Sequence, residues 1–143
     1  MKKLLLIGVS SMVLVACSVT NVKPVEAGKT ISHICIKDSL NPQVANFSTY
    51  LSNSLKKKNI SSEIAKDRYS DGCQYVLAYS LRGDNTGYVL RAKLRLSQIN
   101  ADHRRVNLGE VSYKQRGEEK DKLAVSGVQG QTDLMINELF KNY

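Results

Sequence analysis

Three cysteines, two histidines, one adjacent carboxylate pair and a row of alternating basic residues are the side chains through which this 143-residue chain could do chemistry. Metal binding needs ligands at short, fixed spacings, and there is no Cys-x-x-Cys, while neither His33 nor His103 stands at ligand spacing from a cysteine. His33 falls in a β-like run and reads as a partly buried strand residue; His103 falls in a turn and reads as surface. Glu118-Glu119 lies in a charged stretch, where adjacent carboxylates are ordinarily solvated. No Gly-x-Ser-x-Gly elbow, phosphate loop, dinucleotide fingerprint or His-Glu-x-x-His is present. The expectation is a chain with no catalytic residues, no cofactor and no metal.

Cys17 carries a different chemistry. Met1-Lys2-Lys3 is a short positive segment, and an apolar run follows from Leu4 to Ala16. Thirteen residues of helix rise only about 20 Å, against about 30 Å of bilayer hydrocarbon, so a signal peptide is the better reading than a membrane span. Leu14-Val15-Ala16-Cys17 resembles the bacterial lipobox, which implies cleavage before Cys17 and acylation of its sulfur and new amine. Several acyl chains, at about 0.8 kcal/mol per buried methylene, anchor far better than one. The alternative is an ordinary signal peptide with a chance cysteine near the cut. Residue 18 is Ser rather than Asp, which by analogy with enterobacterial sorting implies the periplasmic leaflet of the outer membrane. Segment 1–16 is thus expected as signal peptide, 17–30 as a lipidated tether, and 31–143 as a periplasmic domain.

Cys35 and Cys73 remain as an even pair in an oxidising compartment, which predicts a structural disulfide. Closing a loop of about 39 residues is worth roughly 4 kcal/mol in the chain-entropy model. Two buried free thiols, or a functional thiol, are the alternatives.

The basic residues are Arg91, Lys93 and Arg95, with Arg105, Lys114 and Arg116 on or near neighbouring strands. The chain holds 21 Lys plus Arg against 13 Asp plus Glu, a net charge of +8 that falls to about +6 once Lys2 and Lys3 are removed. A solvated sheet face is the plainer reading of this row. The sharper one is a docking face, Arg91, Lys93, Arg95 and Arg105, for something acidic: lipopolysaccharide, anionic lipid, peptidoglycan or a protein surface. The expected address excludes nucleic acid.

The elements that must position these side chains follow from periodicity. Residues 31–37 form a short strand, apolar on both faces. Asn41-Pro42 opens a helix, because Asn caps well and Pro suits the first helical position. Val44, Phe47, Leu51 and Leu55 make its apolar stripe, and Lys56-Lys57-Lys58 closes it at the negative end of the dipole. Residues 60–66 form a second strand. Cys73, Tyr75, Leu77, Tyr79 and Leu81 alternate on one face of a third. Gly83 to Gly87 make a turn, after which Tyr88, Leu90, Ala92, Leu94 and Leu96 alternate with the basic row. Val106, Leu108, Val111 and Tyr113 form the last strand, with a phase slip at Gly109-Glu110 that predicts a β-bulge. A terminal helix is expected over about 132–141; Gly127 and Gly130 weigh against extending it back to 122. The fold class is α+β: a two-layer, mostly antiparallel sheet of order β-α-β-β-β-β-α, with both helices packed on one face.

Ile34-Cys35-Ile36-Lys37-Asp38, Asn41-Pro42, Gly72-Cys73 and Ile136-Asn137-Glu138-Leu139-Phe140 together resemble the Sbal-type family of small Gram-negative lipoproteins. Where those proteins often carry Trp-Asp in the hairpin turn, Gly83-Asp84 stands here. The resemblance implies the fold and the address and adds no activity. The expected function is an outer-membrane-anchored, non-catalytic accessory or interaction module for an envelope protein. The alternatives are a binding module for acidic envelope ligands and an exclusion or immunity lipoprotein.

Overall fold

The computed structural model describes residues 18–39, 43–65 and 72–143. Segment 1–16, Cys17, Asn41-Pro42 and Asp71 lie outside the described residues. In chain order the elements are β1 (Val19–Lys23), β2 (His33–Lys37), α1 (Phe47–Lys57), β3 (Ser61–Ala65), β4 (Tyr75–Gly83), β5 (Val89–Ile99), β6 (Arg105–Lys114), a 3-10 turn at Gly117–Glu119, and α2 (Lys120–Leu139). The strands form one six-stranded sheet in the order β1-β6-β5-β4-β2-β3. The fold is α+β with helices on the sheet, as the periodicity predicts.

The core lies between the sheet and both helices. Ile34 and Ile36 of β2, Leu77 of β4, Leu94 and Leu96 of β5 and Val111 of β6 bury against Leu51 and Leu55 of α1 and Met135 and Ile136 of α2. Alternate positions on the same strands, Lys93, Arg95 and Ser112 among them, point to the other face, which carries no helix among the described residues. The stripe expected of the first helix holds: Val44, Phe47, Leu51 and Leu55 are all buried. The helix itself is described from Phe47, behind Asn46 in a left-handed conformation (φ 58°).

Several expectations need correcting. The tether expected over 17–30 is part of the domain: Val19–Lys23 pairs antiparallel with β6, and Val25 is fully buried. β6 would otherwise present an unpaired edge, and β1 supplies its backbone partners. The sheet is mostly antiparallel, as expected, through β1–β6, β6–β5 and β5–β4, but it is mixed, because β2 runs parallel to both β3 and β4. Parallel neighbours need a long crossover, which α1 provides between β2 and β3. The β6 bulge sits at Leu108, where Leu96 pairs Gly109 and Ser97 pairs Asn107, not at Gly109-Glu110. Cys73 precedes β4 and lies with Cys35, Val76 and Ile99 on the face opposite Leu77. The last helix starts near residue 120, twelve residues early, and bends where Gly127 leaves helical geometry (φ 59°, ψ −160°). The glycine argument thus locates the break in α2 but not its start.

Buried polar groups fasten α2 to the strands that carry the basic residues. Gln131 Nε2 donates to the Val89 carbonyl and to the Tyr113 hydroxyl, both at 2.9 Å, while its Oε1 accepts the Val89 N–H at 2.9 Å. Tyr113 in turn donates to Glu119 Oε2 at 2.9 Å, and burial pushes its pKa well up. The α2 C-terminus and the residues after β1 close over Gly109. A Cβ there would meet Leu139 Cδ1 at 2.9 Å, Val25 Cγ2 at 3.0 Å and the Lys23 carbonyl at 3.1 Å. Gly109→Ala should therefore lower stability by about 1–3 kcal/mol in urea unfolding, the usual cost of overpacking. Gly117→Ala, whose Cβ meets nothing within 4 Å, should stay within about 0.5 kcal/mol of the parent.

Candidate functional site

Register decides which basic residues are free to meet a ligand. Along β5, Arg91, Lys93 and Arg95 point to the helix-free face, as the alternation predicts. On β6, Lys93 lies across from Ser112 and Arg95 across from Glu110. Glu110 spans both cations: its Oε1 is 2.8 Å from Lys93 Nζ and its Oε2 3.1 Å from Arg95 Nε. The Lys93 ammonium holds the Glu110 pKa down, burial opposes this, and the Arg95 guanidinium adds to the lowering. Two of the four residues expected to form the docking face therefore share one carboxylate within the sheet, which offsets one of their two charges. Arg105, the fourth, pairs with Ile99, eight residues along β5 from Arg91 and so about 27 Å away. The four do not form one patch.

A different set does. Arg82 of β4 lies directly across from Arg91 of β5, and Arg91 directly across from Lys114 of β6. Residues paired in this way share a face, so three cations on three adjacent strands stand in one row. Among the described residues none of the three forms an ion pair. The row continues to the fourth strand through the backbone, where the Lys114 N–H donates to the Ser18 carbonyl at 3.0 Å. With strands about 4.8 Å apart, Ser18 to Arg82 spans about 15 Å. Ser80, Arg82, Arg91, Lys93, Ser112 and Lys114 line an open groove of about 530 Å³ there. Lys114 is visible in the sequence as a neighbour of the basic row. Arg82 is missed, because only the hairpin register, with its extra residue at Leu90, sets it opposite Arg91.

The turn at the end of this row is held by Asp84. Its Oδ1 accepts the Thr86 N–H (2.8 Å), the Thr86 hydroxyl (2.7 Å) and the Tyr88 N–H (3.0 Å), and its Oδ2 accepts Gln115 Nε2 (3.0 Å).

The cysteines are bridged. Cys35 and Cys73, 38 residues apart in sequence, form a disulfide with a Cα–Cα distance of 5.9 Å. Beside it stand His33 and Glu63, which no spacing in the sequence joins. β2 places His33 and Cys35 two residues apart on one face, and the parallel register sets Cys35 across from Glu63 and His33 across from Ser61. His103 is exposed in the turn before β6, with φ 60°.

No protein-family model and no curated protein sequence matches the chain. Among solved structures, a PelC dodecamer carrying one Leu-to-Met substitution, from Paraburkholderia phytofirmans, is similar over 83% of this chain and 92% of that one, with 12% identity and a TM-score of 0.47. Among the described residues no helix is long and apolar enough to cross a membrane.

Asp84 makes the hairpin turn sensitive to acid. Partial burial pushes its pKa up, but the bonds from Gln115, Thr86 and Tyr88 outweigh this and hold it at about 2, below the usual 3.8. A carboxyl with a depressed pKa stabilises the fold above its unfolded value, and that contribution is lost as pH falls through the folded value. Thermal stability should therefore drop between about pH 4 and pH 2. Asp84→Asn should lower stability at pH 7 and flatten that part of the pH profile, as followed by circular dichroism melts.

Proposed function

We propose that this chain is a non-catalytic, lipid-anchored protein of the outer membrane's periplasmic leaflet. In this reading the Arg82–Arg91–Lys114 row docks onto acidic head groups of the membrane that carries the anchor. The observation behind it is the hydrogen bond from Lys114 to Ser18, which ties the start of the sheet to the end of the cationic row. Acylation at Cys17, one residue before Ser18, would join the lipid to the sheet with no tether between them. The row would then lie within about 15 Å of the anchor. A lipid-held protein gains about 1 kcal/mol from each Lys or Arg brought to an anionic surface. Three cations beside the anchor add binding where the acyl chains have already brought the membrane close.

The accessory role expected from the sequence places an envelope protein on this face instead. The proximity of the row to Ser18, next to the lipidation site read from the sequence, favours lipid, because a protein partner would have no need of cations beside the anchor.

Labelled palmitate should enter the wild-type protein and not Cys17→Ser. With the Cys17→Ser chain, so that no acyl group contributes, sedimentation with vesicles containing anionic phospholipid should depend on the row. Replacing Arg82, Arg91 and Lys114 together by Gln should weaken binding about 100-fold, from about 1 kcal/mol per charge. Neutral vesicles should bind neither form, and raised salt should release the parent. Binding by the triple variant equal to the parent's would remove the row as the docking site. In cells, a photo-crosslinking residue at position 93 should yield lipid adducts; one defined protein adduct would favour the accessory role.

A further inference from the structure

We propose that reduction of the Cys35–Cys73 disulfide creates a four-ligand site for a zinc-class divalent ion, completed by His33 and Glu63. The inference stands on the geometry of the β2–β3 edge and does not depend on the membrane reading. The donor atoms of His33, Cys35 and Glu63 all lie within 4.8 Å of one another. Glu63 Oε1 is 3.0 Å from Cys35 Sγ, 3.5 Å from Cys73 Sγ and 3.8 Å from His33 Nε2. Two sulfurs, one imidazole and one carboxylate are a donor set that suits tetrahedral Zn²⁺.

The hydrogen bonds around His33 present the correct nitrogen. The Ser61 hydroxyl donates to the Ser32 carbonyl at 3.0 Å, so its oxygen is left to accept from His33 Nδ1–H at 2.7 Å. That assigns a proton to Nδ1 and leaves Nε2, 3.8 Å from Glu63 Oε1, as the nitrogen an ion would take. Metal-ligating histidines are oriented in this way by a partner on the other nitrogen. The side chains of His33 and Glu63 are 45% and 49% exposed, which gives an ion a path in.

In the disulfide state the sulfurs are bonded to each other and neither is a thiolate. Reduction by a dithiol supplies two electrons and two protons, breaks the S–S bond, and leaves two thiols and the donor's own disulfide. Zn²⁺ then displaces the two thiol protons and takes the Nε2 lone pair and the Glu63 carboxylate. With Zn–S bonds near 2.3 Å, the sulfurs must part to about 3.7 Å, a change that side-chain rotation can make across the 5.9 Å Cα separation. Thiol–disulfide exchange with an added disulfide, which takes up the two electrons and leaves as a dithiol, would re-form the bond and expel the ion.

The test uses the full-length Cys17→Ser chain, so that no third thiol contributes, freed of metal and reduced without oxygen. Titrated with Co²⁺ as a spectroscopic stand-in, it should bind one equivalent with the absorption of tetrahedral thiolate–cobalt, and the disulfide form should bind none. His33→Ala and Glu63→Ala should each weaken the reduced form's affinity at least tenfold, and Ser61→Ala about tenfold. No such absorption after reduction would overturn the proposal, as would affinity unchanged in both ligand variants. Should reduction alone loosen the fold, Zn²⁺ must raise the melting temperature of the reduced parent and not of His33→Ala; no rise in the parent would also overturn it.

Discussion

β2 is hydrogen-bonded on both sides to parallel strands, and this constraint fixes the character of everything near it. A strand so placed is covered on both faces, and its three central residues, Ile34, Cys35 and Ile36, are all buried. Alternation sends Ile34 and Ile36 under the helices and leaves Cys35 alone on the other face. No helix covers that side, so burial there must come from something small. The disulfide to Cys73, packed with Val76 and Ile99, supplies it. The same bridge ties β2 to the start of β4 and fixes a neighbour pair that lies far apart in sequence.

The helix-free face therefore has two ends of different chemistry. At the β2–β3 end, sulfur, imidazole and carboxylate are drawn together by parallel register. At the β6–β5–β4 end, three cations are drawn together by antiparallel register. Between them Glu110 bridges Lys93 and Arg95 and offsets one of their two charges, so the basic row on β5 is not a uniform strip. Its charge is concentrated toward Arg91, which lies across from Lys114 of β6, the strand next to β1. Gln131 and Asp84 serve this end from beneath and from the turn, holding Val89 and the hairpin loop in place.

What was legible in the sequence was which way residues face. Period-two alternation identified the faces of β5, period-3.6 spacing identified the stripe of α1, and the pair of cysteines left once Cys17 is set aside pointed to the bridge. What was not legible was which strands are neighbours. β1 is five residues of mixed polarity, Val-Thr-Asn-Val-Lys, and its partner lies about 90 residues on, so no local pattern announces it. The parallel pairing of β2 is equally invisible, and with it the meeting of Glu63 with Cys35 and His33. Arg82 and Arg91 belong to one hairpin, yet an extra residue at Leu90 decides whether they oppose each other. Facing is a property of a segment. Neighbourhood is a property of the folded sheet.

The cationic row is also where pairing works against stability. Like charges directly opposite on adjacent strands destabilise a sheet by a few tenths of a kcal/mol or more, and here two such pairs share Arg91. Glu110, one to two pairs farther along, shows that an acidic residue fits this face and relieves such strain. Three cations stand across adjacent strands here, while Lys93 and Arg95 share the Glu110 carboxylate. Local choices that oppose the fold mark positions answering to something outside it. Here the opposing choice falls beside Ser18, where the chain enters the sheet, and an anionic surface held at that end would turn the repulsion among Arg82, Arg91 and Lys114 into binding.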